Sequence, residues 1–173
     1  MGPVPRPRRG LREYFDGNYQ GKDLPRLRAE LVNIDAIIEQ SLAATSTGED
    51  SRPLRRELGS LSVAIGDARR ELGQLALALS QYERAMGVFS YLSSCDPGNA
   101  AWQRDLIVSH WELAELAEQT PARGAKAADH WSQALAIART LADTGRLAPT
   151  DAYFVETLED RLAAAQASSA TSH

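Results

Sequence analysis

Asp96 to Leu116 reads DPGNAAWQRDLIVSHWELAEL, and the fold is decided in this stretch. Asp-Pro-Gly-Asn ends one element: Pro97 lacks the N–H that a helix interior needs, and Gly98 accepts turn backbone. Trp102, Leu106, Ser109, Leu113 and Leu116 then recur three and four apart, which places them on one face of a helix. The same spacing stands 48 residues earlier at Leu54, Leu58, Leu61, Ile65 and Ala68, and four of the five positions are apolar in both copies. Tyr82, Ala85, Met86 and Leu92 match Trp131, Ala134, Leu135 and Leu141 at an offset of 49, after one extra residue in the turn. The chain therefore carries two copies of a helical hairpin, at about 54–94 and 102–142. Gly73 divides the first, and Thr120-Pro121-Ala122-Arg123-Gly124 divides the second.

Working outward, Leu24, Leu27, Leu31, Ile34, Ile38 and Leu42 predict a helix over about 24–45, with Asp23 as cap and Pro25 in the first turn. A last helix is expected over about 150–167 through Leu158 and Leu162, and 168–173 reads as a disordered tail. Residues 1–22 begin MGPVPRPRRG, a basic Pro/Arg-rich arm that is largely irregular, although Tyr14, Phe15 and Tyr19 give part of it a means of docking. No segment alternates β-branched and polar residues as a strand would. The expected class is all-α, with five to six helices, and the helical-repeat domain spans 23–167.

Composition narrows the function. At 173 residues the chain suits one domain, and 43% hydrophobic against 24% charged residues is a globular balance. Nineteen basic and 23 acidic side chains leave a net charge of -4, which argues against duplex nucleic acid as the main ligand. One cysteine, Cys95, excludes an internal disulfide and a multi-cysteine zinc site. No apolar run approaches the ~20 residues of a membrane span. With no signal-peptide stretch at the N-terminus, the expected location is cytoplasmic.

Within the hairpins the residue types resemble the tetratricopeptide repeat. Ile65-Gly66 takes the Leu-Gly place of the first helix, Gly73 the glycine between helices, and Ala78, Tyr82 and Ala85 the small–aromatic–small set of the second helix. Leu113-Ala114, Ala127, Trp131 and Ala134 repeat the set, while Ser62 and His110 stand where the family has an aromatic. DPGNAAWQRDLIVSHWELAEL resembles a longer bacterial variant arrayed in tandem within larger proteins. The resemblance implies a right-handed array of hairpins with a concave groove. It places Ser60, Val63, Asp67 and Arg70 of the first copy in that groove, with Val108, Trp111, Glu115 and Glu118 of the second. In chaperone-binding members, Lys, Asn and Arg hold a C-terminal carboxylate there. Val63, Trp111, Asp67 and Glu115 occupy those places here, so that clamp is missing. Trp111 is then either an exposed groove anchor or a contact for the C-terminal helix or the N-terminal arm.

Catalytic and metal chemistry find little support. His110 and His130 fall on different helices without the i, i+4 spacing of a helical zinc pair, and His173 is the last residue. Cys95 follows a helix C-terminus, where the dipole raises a thiol pKa and opposes nucleophilic use. No cofactor site is read. The expected function is a non-enzymatic module binding a protein or peptide, as part of a larger signalling or regulatory assembly. The groove would favour apolar and basic groups. The alternative is a structural homo-oligomerisation unit, because two hairpins are few for a stable solenoid.

Overall fold

A computed structural model describes residues 24–45, 48–120 and 124–170. The basic arm at 1–22, the Asp23 cap and the Pro121–Arg123 part of the second turn lie outside the described residues. Those residues form six α-helices: α1 (Leu24–Ala44), α2 (Arg52–Glu71), α3 (Leu75–Cys95), α4 (Ala100–Glu118), α5 (Gly124–Asp143) and α6 (Phe154–Ala170), with short 3-10 turns at Glu49–Ser51 and Pro149–Asp151. No strand occurs among them. The class is all-α. The chain divides into two compact units between Val88 and Phe89, inside α3.

In the first unit, Leu31 and Ile38 of α1 are buried against Leu58, Ile65 and Ala68 of α2, with Ile34, Leu42 and Leu72 packed at the margin. Two polar contacts show that these helices run antiparallel. Arg55 Nη2, near the start of α2, donates to the Thr45 carbonyl just past α1 (2.7 Å), and Arg69, near the end of α2, pairs with Asp35 in the middle of α1. Pro53 sits in the first turn of α2, where its missing N–H leaves no bond unmade. The helix closes on Gly73 at φ 71°, with Gly73 N–H bonded to Arg70 O (3.0 Å) and Gln74 N–H to Arg69 O (2.8 Å). This double bond takes up two of the otherwise orphaned C-terminal carbonyls, and glycine reaches the left-handed conformation without Cβ strain. Gly145 closes α5 by the same bonds at φ 66°.

α2 and α3 cross where glycine meets an aromatic. Ala78, Tyr82 and Ala85 are fully buried, and a Cβ added to Gly66 would lie 2.7 Å from Cδ1 of the Tyr82 ring. Gln81, which the α3 pattern places on the exposed side, is only 3% exposed.

The second unit is built on α4, α5 and α6. Asn99 caps α4 by accepting from Trp102 N–H (3.2 Å), and Arg146 Nη1 donates to Gly98 O (3.0 Å), which joins the start of α4 to the end of α5. α4 and α5 are thus antiparallel about their turn. Ala114, Ala127, Ala134 and Ala138 keep the seam narrow, and Trp111, Trp131, Phe154 and Leu158 fill it. Trp102, expected in the core, is half-buried. The last helix departs from its expected bounds. Pro149 initiates a 3-10 turn, so α6 starts at Phe154, and it continues through Ala170, beyond the boundary at 167 where a tail was expected.

Two glycines give opposite expectations. Gly66→Ala should lower stability by about 1–2 kcal/mol, since displacing the Tyr82 ring outweighs alanine's better helix propensity. Gly87, on α3, has nothing within 4 Å of an added Cβ, and Gly87→Ala should raise stability by about 0.4–1 kcal/mol. Urea denaturation followed by far-UV circular dichroism separates the two. A gain at both positions would contradict the tight crossing.

Candidate functional site

The eight groove positions read from the sequence fall on two helices, one in each unit. On α2, Val63 is fully buried and Ser60, Asp67 and Arg70 are half-buried. Asp67 Oδ1 accepts from the Tyr82 hydroxyl (2.7 Å) and lies 3.8 Å from Arg70 Nη2, while the Arg70 guanidinium sits 5.9 Å over the Tyr82 ring. These two charges close over the polar end of a buried phenol. Burial leaves an aromatic hydroxyl in need of a partner, and Asp67 supplies it.

On α4, Trp111 takes the second of its two expected places, a buried contact for the C-terminal helix. Trp111 is 1% exposed, edge-on to Trp131 (5.3 Å, 83°) and 6.2 Å from Phe154 at the start of α6. Val108 and Glu115 are also buried, and Glu118 is exposed. Each indole N–H finds a carboxylate: Trp111 Nε1 donates to Glu115 Oε1 (3.0 Å), and Trp131 Nε1 to Glu118 Oε1 (2.7 Å). Arg161 of α6 bridges both acids, with Nη2 3.5 Å from Glu115 and Nη1 3.6 Å from Glu118, and lies 5.6 Å over the Trp131 ring. Two indoles, two carboxylates and one guanidinium thus satisfy one another. The face that would have offered acidic groups to a basic ligand holds α6 by this network. A second anchor lies at the turn into α6, where Asp151 takes Arg104 through two oxygens (2.5 and 3.1 Å) and Arg104 stacks 5.8 Å over Phe154. Hydrogen bonding to Asp151 raises the Arg104 pKa.

Sequence reasoning missed Arg161. It falls on the same stripe as Phe154, Leu158 and Ala165, and a lone cation among buried apolar positions is a sign of a carboxylate partner across the seam. It also kept the histidines apart, whereas His110 Nδ1 and His130 Nδ1 stand 3.1 Å from each other. Each is ten positions from Thr120, so an antiparallel hairpin turning there brings them level. Burial and the charge of His130 lower the His110 pKa to about 4. Among the described residues no group of three or more His, Cys, Asp or Glu is placed to hold a metal ion, and Cys95 is a half-buried free thiol. A cleft of about 310 Å³ between α4 and α5 is lined by Pro97, Gln103, Ile137, Thr140 and Arg146 and offers no buried charge to orient a ligand.

The comparisons with known proteins do not assign a family: no family model, no curated protein and no solved structure matches the chain. No helix among the described residues is long and apolar enough to cross a membrane.

The network makes Arg161→Ala costly. It strips the largely buried Glu115 of its cation and should destabilise the second unit by about 1–2 kcal/mol, a figure held down because solvent reaches the guanidinium. Arg161→Lys should recover part of the loss, since an ammonium cannot span both acids as a guanidinium fork does. Urea unfolding monitored by tryptophan fluorescence checks both. Equal midpoints for wild type and Arg161→Ala would remove the network from the account of α6.

Proposed function

We propose that this chain is a non-enzymatic, tetratricopeptide-like helical module that binds a protein or peptide through apolar surface on its first unit. The observation that carries the reading is an asymmetry of exposure. Val32, Ile37, Leu54, Leu61 and Leu77 are 41–59% exposed, and all five belong to the first unit. Leu54 and Leu61 are two turns apart on α2, on the stripe that also carries the buried Leu58 and Ile65. The α1–α2 seam thus continues into solvent as apolar surface. Such surface beside a formed seam suits a partner's apolar anchors, as in a helix laid into a groove. The related residues of the two hairpins, 48 and 49 positions apart, support the repeat reading.

The acidic positions of α4 no longer favour a basic ligand, because Arg161 and the two indoles engage them. The same apolar surface supports a second reading, in which the partner is another copy of the chain and the module serves assembly. Sedimentation from micromolar to near-millimolar concentration separates the two. The double variant Leu54→Asp/Leu61→Asp should remain folded with a modestly lower melting temperature, because about half of each side chain is exposed, and lower affinity for a partner or a second copy at least tenfold. Unchanged affinity in a folded double variant would remove this surface from the reading.

A further inference from the structure

We propose that the His110–His130 contact is an acid-sensitive catch on the α4–α5 hairpin, which holds closed with one proton on the nitrogen–nitrogen line and loosens when each ring must carry its own. The two Nδ1 atoms are 3.1 Å apart and the ring centroids 5.4 Å, so the rings meet nose to nose along the line joining those nitrogens. In that arrangement one Nδ1 donates and the other accepts. A first added proton goes to the outer Nε2 of the donating ring and leaves the bridge intact, strengthened by charge. A second must enter at the accepting Nδ1. It replaces the acceptor with a donor and sets two cations against each other in the seam.

His110 is 8% exposed, and the charge that acts on it is that of His130. On α4, Asp105 and Glu112 lie about 140–160° round the helix from His110. Arg104 is taken by Asp151, and Glu115 and Glu118 by Arg161 and the indoles. On α5, Lys126 and Asp129 are exposed. From α6, Glu159 pairs with Arg139 and Arg161 with the α4 acids. Of these carboxylates, all on described residues, none is among the charges that shift His110.

The direction of the effect follows. In the unfolded chain His110 takes its proton near pH 6.5, whereas in the folded chain burial and His130 delay it to about pH 4. The unfolded state therefore binds more protons between these values, and the hairpin's stability is present above pH 6.5 and lost as pH falls toward 4.

Two measurements on the full chain, in buffer with a chelator, test this. The imidazole C–H resonances of the native protein, followed by NMR, should show His110 titrating about two units below an ordinary histidine. Between pH 7 and 4.5 the folding equilibrium constant of wild type should fall on the order of 50-fold more than that of His110→Gln, which cannot take the second proton. His130→Gln should also flatten the profile. A His110 resonance titrating in the ordinary range overturns the proposal whether or not the variants fold, as does an identical pH profile for wild type and His110→Gln.

Discussion

How near two helices can come depends on what stands between them, and here a ring is set against a side chain of one carbon or none. Tyr82 lies against Gly66, and its hydroxyl is held by Asp67 on the next residue of the same helix. Trp131 shares a seam with Ala114, Ala127 and Ala134, and its indole N–H is held by Glu118. In both hairpins the aromatic body fills the space that the small residues leave, and its polar end reaches a carboxylate at the rim. A ring so held has one low-energy position, which sets the helices' separation and their register together.

This constraint was largely legible in the chain. Each of α2 to α5 has an apolar stripe and a Gly or Pro within a few residues of its end, at Gly73, Pro97, Pro121 and Gly145. The sizes of Gly66 and Tyr82, a bare backbone facing a ring, are the part of the α2–α3 crossing that the residue types carry. The surroundings of the eight expected groove positions were less legible. Those positions were located by their place in a repeat, and whether Trp111 faces solvent depends on what lies over it. That is α6, whose docking rests on Arg161, a residue that looks like surface charge until its carboxylates are in view. Gln81 failed for a related reason: periodicity marks the strongest apolar face of a helix, and a side chain flanking that face can be buried by a second neighbour.

The histidine pair shows a different limit. Sequence spacing within one helix detects i, i+4 partners, whereas His110 and His130 meet across a hairpin, where the relevant quantity is distance from the turn. Arg69 and Asp35 are of the same kind, joined across α1 and α2. Polar contacts between antiparallel helices become readable once the turn is placed, and they belong to the seam as much as the apolar residues do.

The distribution of indoles gives the molecule a built-in division of signal. Trp102, Trp111 and Trp131 all lie in the second unit, and the first unit has no tryptophan. Intrinsic tryptophan emission therefore reports on α4, α5 and α6, while the helical backbone signal sums both units. Trp111 and Trp131, edge to face at 5.3 Å, are close enough for their excited states to couple, so loss of that coupling marks separation of α4 from α5. A chain with one unit dark and the other bright reports, in one denaturation followed by two optical probes, whether its halves melt as a single cooperative body or in sequence.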